Sequence, residues 1–267
     1  MSWLDELRGV LPASLGAVLP VGLLQSERIL SVPSGDNVRE LGGYRALGGL
    51  TRWHRYLRSG STDRMDSRDI ARLRAYGVTH VLDLRGSFEQ PRGTCAFARE
   101  KGFTWLNVPL YDFDLHDPRF VPPDGNEDYL VESYLTMLSN HDAVRQVIEF
   151  LADVPPDECA LFHCAAGMDR TGVTAMLLLA VAGVGRRQIA ADYVYSFGSV
   201  DEVNQALDDP DFDGDNPWLS LQARLSTMGT VYATLLDAYG SVDDYLMACG
   251  VSRETLERLR ADFVEGA

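Results

Sequence analysis

Lysine is nearly missing from this chain: Lys101 stands alone among the 24 basic residues, and the formal net charge is −15 over 267 residues. That balance excludes a sequence-independent grip on nucleic acid or on an anionic membrane face, because both need a basic surface. Cysteine is scarce as well. Cys95, Cys159, Cys164 and Cys249 form no C-x-x-C pair and no regular framework, which favours a reducing, cytoplasmic setting over a disulfide scaffold. No apolar run is long enough to span a bilayer. The stretch 10–24 is broken by Pro12, Gly16, Pro20 and Gly22 and preceded by Asp5 and Glu6, so neither a signal peptide nor a transmembrane segment is expected. There is no G-x-x-x-x-G-K-S/T phosphate loop, hence no sign of magnesium-dependent nucleotide hydrolysis. Internal repeats and low-complexity tracts are absent too.

What remains is an ordinary globular composition, 46% hydrophobic and 24% charged, for which one domain over 1–267 with a single large core is the expectation. An amphipathic helix over 66–76, closed by Gly77, leads into a buried strand at 79–86, "THVLDLRG". A second strand is expected at 103–110, helices at 127–139 and 141–153, and a third strand at 159–163, "CALFH". From Thr171 the chain is apolar almost all round, as a helix buried on every side would be. Helices at 186–197, 217–239, 241–249 and 252–264 complete the pattern. The fold class is therefore α/β: a mainly parallel sheet flanked by helices, with a helical C-terminal third.

Charge is distributed unevenly. Residues 51–74 hold seven Arg against three Asp and read as a mostly solvated helix face, with Arg58 and Arg64 as candidates for the rim of a pocket. Residues 201–217 hold seven acids and no base. Within them "DPDFDGD" begins like a calcium loop, but its twelfth position is Ser220 rather than a bidentate Glu, so an exposed acidic loop is expected.

The chemistry concentrates in "HCAAGMDRTG", which starts at His163. Cys164 follows a strand and Arg170 opens a buried helix. Ala165, Ala166 and Gly167 are small enough to let the backbone N–H groups of the loop, Met168 included, turn inward around an anion. The helix N-terminus adds free N–H groups and its positive dipole end. Such a nest suits a phosphoryl group, and it favours the ionised, nucleophilic form of a thiol at its mouth. Arg170 can hold two phosphoryl oxygens in a fork. The arrangement calls for Cys164 to attack phosphorus while Arg170 binds the charge.

This stretch resembles the C-x5-R signature of the cysteine-based tyrosine phosphatases, and closely the H-C-x-x-G-K-D-R-T-G form found in bacterial tyrosine and phosphoinositide phosphatases. "NVRELGGYR" (37–45), "LRSG" (57–60), "VLDLR" (81–85), "IAADYVYS" (189–196) and "YGSVDDYLMACGVS" (239–252) are similar to further segments of that family. The resemblance implies metal-independent and cofactor-free hydrolysis of phosphomonoesters through a cysteinyl-phosphate. Phosphorylated protein is the implied substrate, phosphotyrosine first, with phosphoserine/threonine or a phosphoinositide as further possibilities. A catalytically impaired module that only binds such ligands is the alternative, because Met168 stands where the family has Lys.

Carried over by position, Cys164 is the nucleophile, Arg170 the clamp, and the Thr171 hydroxyl steadies the departing thiolate. His163 shapes the loop, and Arg85 is a further candidate phosphate contact. Two aspartates compete to protonate the leaving group. Asp169 sits inside the loop and is favoured for its proximity to the phosphate, whereas Asp83 ends a strand where α/β sheets place ligands but can equally serve to orient Arg85 or Arg170. Asp112 and Asp114 are weaker candidates. The resemblance further implies that helices between about 200 and 240 can form a lid, with Trp218 and Met228 as apolar contacts. Arg64 or Arg92 are the residues able to replace the charge lost at Met168.

Overall fold

The computed structural model describes residues 27–89, 95–111, 128–215 and 220–266. Four short strands come first: β1 (Arg39–Glu40), β2 (Arg45–Ala46), β3 (Gly49–Thr51) and β4 (Tyr56–Ser59). They are followed by α1 (Ser67–Tyr76), β5 (Val78–Asp83), β6 (Thr104–Asn107), α2 (Asp128–Ser139), α3 (His141–Ala152) and β7 (Cys159–His163). Beyond β7 the chain is helical in α4 (Asp169–Val181), α5 (Arg186–Val194), α6 (Val200–Asp208), α7 (Leu221–Tyr239), α8 (Val242–Ala248) and α9 (Arg253–Phe263), and ends in β8 (Val264–Gly266).

All five residues of β7 are buried. A strand without a solvent face belongs at the centre of a sheet covered on both sides, and β7 occupies that place in the order β1-β4-β7-β5-β6. Strands β4, β7, β5 and β6 run parallel, and β1 lies antiparallel on the edge. The expected mixed architecture with a mainly parallel sheet and a helical C-terminal third is thus the one observed. A separate antiparallel sheet, β2-β3-β8, joins the N-terminal hairpin to the end of the chain.

Side chains alternate across a strand, and here the alternation divides the molecule in two. Tyr56, Leu82 and Phe162 enter the larger core beneath α2 to α5, whereas Leu57, Val81 and Leu161 face the smaller core under α1. Helix α1 is set by local signals: Asp66 and Asp69 form a capping box, and Gly77 closes the last turn with φ 112°. Strand register puts Ser59, Asp83 and His163 side by side at the carboxyl ends of β4, β5 and β7. Loops leaving that edge build the site, as is general for open α/β sheets.

The reading of 51–74 as a solvated helix face is corrected. Only 67–76 is helical, with Arg68, Arg72 and Arg74 outside, while Arg55, just before β4, and Arg58, on it, are completely buried. Arg55 spends its guanidinium on the carbonyls of Val154, Pro155 and Glu158, closing the turn into β7. In the acidic stretch, Asp213 accepts from the backbone N–H of Gln222 and the hydroxyl of Ser220 at 2.9 Å each, which caps the start of α7. Met228 on α7 has no exposure and belongs to the large core. Trp218 lies outside the described residues.

Helix α4 is buried all round because α5 crosses it closely. A Cβ built on Gly172 would meet the Tyr193 ring at 2.8 Å, so glycine is what permits the crossing. Gly172→Ala should cost about 1–3 kcal/mol through overpacking, read as a fall in Tm of roughly 2–4 °C per kcal/mol in thermal denaturation.

Candidate active site

The chain leaves β7 at His163 and enters α4 at Asp169, with Cys164 to Met168 forming the turn between them. Gly167 has φ 73°, and a Cβ there would lie 2.6 Å from the backbone of Ser59 and Gly60; any side chain would push the loop off its support. The carbonyls of this loop are fastened outward. Ala165 accepts from the N–H of Ser61 at 2.7 Å and Ala166 from the Asn37 amide at 3.4 Å. The Gly167 carbonyl takes two donors, Asn37 Nδ2 at 3.0 Å and Arg58 Nη2 at 2.8 Å. With the acceptors tied back, the loop N–H groups of residues 165–169 donate to nothing among the described residues. They form a nest of uncommitted donors beside Cys164, whose exposure is 1%.

A buried ionic network stands behind those ties. Asp192, on α5, pairs with Arg58 Nη1 and with Arg39 Nε at 3.4 Å, and accepts from the Tyr44 hydroxyl at 3.1 Å. Arg39 also donates to the Asp192 carbonyl, to Ser196 Oγ and to Asn37 Oδ1, which fixes the amide that holds the loop. Burial would raise the Asp192 carboxyl, but Arg58 and Arg39 pull it below the usual carboxylate range. Arg39 is lowered to about 10 by burial and by Arg58 beside it. The segments containing Asn37, Arg39, Tyr44, Arg58, Asp192 and Ser196 therefore meet at one place, the outer side of the Cys164 loop.

Arg170 is held by a residue the sequence did not single out. Glu89 receives a bidentate fork from it, Nη1 to Oε2 and Nη2 to Oε1 at 2.7 Å, and the guanidinium lies 4.7 Å from the centroid of the Tyr111 ring. Burial opposes the charge on Arg170, but Glu89 outweighs it and keeps the group firmly protonated. Glu89 uses one hydrogen on each terminal nitrogen. Nε is buried with no partner, so the Nε edge of the fork is free for an anion. Thr171 Oγ1 is likewise buried without a partner, and no hydrogen bond joins it to the Cys164 sulfur.

The two aspartates differ sharply. Asp169, half-buried at the first turn of α4, accepts from the Tyr134 hydroxyl through Oδ1. Asp83 is buried and gripped by Arg85: Nε lies 2.9 Å from Oδ1 and Nη2 lies 2.8 Å from Oδ2. Arg85 spends Nη1 on Asp63 at 2.7 Å and Ser61 at 3.3 Å, so its terminal groups are engaged by neighbours. Burial would raise the Asp83 carboxyl, but His163 and the Arg85 fork together hold it below the usual range.

His163 is fully buried. Its Nδ1 is 3.2 Å from the Cys164 carbonyl, while Nε2 has no hydrogen-bond partner and sits 3.9 Å from Asp83 Oδ2. Burial lowers its pKa, so the ring is neutral at pH 7 with its proton on Nδ1. Asp83, His163 and Cys95 bring donor atoms of metal-binding type within 4.8 Å of one another. Arg85 already occupies both Asp83 oxygens, however, and burial raises the Cys95 thiol. The cluster fits a packed support under the loop better than a cation site. All four cysteines are free and buried. Arg64 is exposed and paired with Asp36. Arg92, Asp112 and Asp114 lie outside the described residues.

The tyrosine phosphatase family model matches this chain over residues 30–265. The chain belongs to that family. A Cupriavidus necator protein assigned by name to the tyrosine-protein phosphatases is 30% identical over 259 residues, covering 91% of each chain. A tyrosine-protein phosphatase of Nostoc commune is 29% identical over 218 residues, or 77% of this chain and 72% of that protein. The triple specificity protein phosphatase PtpB of Mycobacterium tuberculosis is 28% identical over 246 residues, covering 77% of this chain and 89% of that one.

Membership of the tyrosine phosphatases makes the outward-tied loop the part whose support matters most. Removing one partner of a buried ion pair typically costs about 3–5 kcal/mol, since it leaves uncompensated charge. Asp192→Asn should therefore lower stability by that order and loosen the Asn37 and Arg58 ties together. Because the Asp192 pKa is depressed on folding, its stabilising contribution is present above the unfolded value of about 3.9 and is lost as pH falls through the folded value. Denaturant melts of both proteins should accordingly differ most near neutral pH and converge in acid; parallel curves at every pH would refute the assignment.

Proposed function

We propose that this tyrosine phosphatase hydrolyses phosphotyrosine through a cysteinyl-phosphate, with Cys164 as nucleophile and Asp169 as general acid. The observation that carries the reading is a loop with its carbonyls tied outward above a buried cysteine, beside an arginine whose Nε edge is free. In the first step the Cys164 sulfur forms the S–P bond as the P–O bond to the tyrosyl oxygen breaks, and Asp169 gives that oxygen its proton. In the second, water attacks phosphorus, the S–P bond breaks and Asp169 takes the proton of the water. Arg170 and the N–H groups of Ala165, Ala166, Gly167 and Met168 hold the equatorial oxygens as their charge grows. Thr171, with its unpartnered hydroxyl, is assigned to the leaving thiolate.

Asp83 and Arg85 are assigned to positioning. A carboxylate with a depressed pKa and both oxygens held by an arginine is a poor proton donor, and it fixes the Arg85 guanidinium against Ser61, the residue whose N–H ties the Ala165 carbonyl. The four free cysteines accord with action in a reducing, cytoplasmic compartment. Among the described residues no helix is long and apolar enough to cross a membrane.

Cys164→Ser should abolish turnover of para-nitrophenyl phosphate in EDTA while the protein still binds vanadate or a phosphotyrosine peptide, because the nest survives and the hydroxyl is far less acidic. Arg170→Lys should be severely impaired, since an ammonium cannot hold both Glu89 and two phosphoryl oxygens. Near wild-type turnover in Cys164→Ser would refute the covalent mechanism.

Met168 sets a second expectation. It is partly exposed at the mouth of the nest, and Arg64, the described candidate to replace a missing lysine, has its charge met by Asp36. A second phosphate on an inositol ring would find no free cation in those two residues. Met168→Lys should therefore raise kcat/KM for phosphoinositides by about 1 kcal/mol, roughly fivefold, and leave phosphotyrosine peptides little changed. Strong wild-type phosphoinositide turnover that the substitution does not alter would show that position 168 does not govern the preference.

A further inference from the structure

Asp169 does not stand alone. Tyr134, at the middle of α2 and completely buried, places its hydroxyl in contact with Asp169 Oδ1 and 2.7 Å from the hydroxyl of Tyr193 on α5. The proton assignment follows from the acceptors. A carboxylate oxygen can only accept, so the single hydroxyl hydrogen of Tyr134 goes to Asp169, and Tyr193 must then donate to Tyr134. The two rings meet edge to face at 6.0 Å, and Tyr193 in turn rests on Gly172, three residues beyond Asp169. Burial keeps both phenols protonated through the neutral range.

Only one oxygen of the carboxyl is held in this way. Asp169 Oδ2 makes no hydrogen bond among the described residues, while Oδ1 is fixed by a hydroxyl whose ring cannot move in the core. A carboxyl pinned at one oxygen has its other oxygen aimed by the remaining geometry, and that is the oxygen free to carry a proton to a leaving group.

We propose that Tyr134, backed by Tyr193, is the positioning residue for the general acid: it sets the Asp169 carboxyl so that Oδ2 faces the bridging oxygen of the bound phosphate ester. The inference rests on the reading of Asp169 as the acid. It adds a specific dependence, namely that the acid works only while the Tyr134 hydroxyl holds it.

The test uses the full chain and two aryl phosphates, phenyl phosphate with a poor leaving group and para-nitrophenyl phosphate with a good one, on wild type, Asp169→Asn, Tyr134→Phe and the double variant. A misaligned acid slows the reaction that needs protonation, and misplacement on the ångström scale is worth up to about 10²-fold. Tyr134→Phe should therefore lose roughly ten- to a hundredfold in kcat on phenyl phosphate. On para-nitrophenyl phosphate kcat/KM, which reports the first step alone, should stay near wild type, and kcat should fall clearly less than on phenyl phosphate, because only the hydrolysis of the cysteinyl-phosphate still calls on Asp169 there. The double variant should be no slower than Asp169→Asn, since a lost acid cannot be misplaced.

If Asp169→Asn shows no preference between leaving groups, the acid reading fails and takes this inference with it. If Asp169→Asn shows the preference but Tyr134→Phe slows both substrates equally, or its loss adds in full to that of Asp169→Asn, the acid reading stands and the positioning role is overturned. Should Tyr134→Phe fail to fold, Tyr193→Phe, which leaves the Asp169 contact in place but removes the donor behind it, carries the same test with a smaller loss on phenyl phosphate alone. Equal rates on that substrate would overturn the relay.

Discussion

Two hydrogen bonds to one carbonyl oxygen, from Asn37 and Arg58 to Gly167, decide which way the Cys164 loop faces. A peptide unit that turns its carbonyl outward turns a neighbouring N–H inward, so each tie on the outside prepares a donor on the inside. Neither donor is free to drift: Arg58 is clamped by Asp192, and Asn37 by Arg39, which the same Asp192 holds. One carboxylate on α5 thus fixes two donors, Asn37 just before β1 and Arg58 on β4, and through them the conformation of a loop to which it has no direct hydrogen bond. The arrangement is costly in desolvation, since three charged groups are buried, and such networks are weak evidence for stability in themselves. Their value here is directional, because an apolar replacement would fill the space and leave the loop carbonyls free to turn in.

The pleat of the sheet keeps the two halves of the machinery apart. Arg58 points to the face that carries α4 and α5, and its network serves the phosphate nest. Asp83 and His163 share the opposite face with Leu161 and Val81, where Arg85, Asp63 and Cys95 complete a second polar cluster. That cluster touches the loop through the His163 ring and the Cys164 carbonyl. The nucleophile therefore sits on a strand end supported from both faces, and either support can be altered by mutation without entering the other.

The stretch from His163 to Gly172 was legible because its chemistry is local: a strand, a small-residue turn and a helix N-terminus must follow one another for a phosphate to fit. The long periodic helices and the central strands were legible for the same reason, since burial on one or both faces writes itself into residue spacing. The short strands β1 to β4 were not, for two to four residues carry no period, and Arg55 and Arg58 look like surface residues until their partners are known. Those partners are remote; Asp192 lies 134 positions from Arg58. Glu89 is 81 positions from Arg170 and Tyr134 is 35 from Asp169. A lone glutamate in a loop and a tyrosine on an amphipathic helix have many ordinary explanations, and no spacing rule points from them to the loop. The "NVRE" and "LRSG" segments resemble the family's in sequence, yet their purpose as ties on the Gly167 carbonyl becomes visible only in three dimensions.

A chain carrying a net charge of −15 must still admit a dianion, and the distribution of its arginines explains how. Arg39, Arg58 and Arg85 each face a carboxylate, so their charges are largely spent within the fold. Arg170 is also paired, but through its terminal nitrogens alone, which leaves the Nε edge and the row of loop N–H groups as the positive surface offered to a ligand. That surface is narrow and short-ranged, since peptide dipoles fall off faster than a net charge and salt screens the field beyond about 10 Å. A single phosphoryl group that reaches the bottom of the nest receives all of it. A second phosphate held at the rim would meet the partly exposed Met168 and the overall negative field of the protein. On the proposed reading, the preference for a monophosphate comes less from any contact made with tyrosine than from how few uncommitted positive charges the chain leaves near the opening.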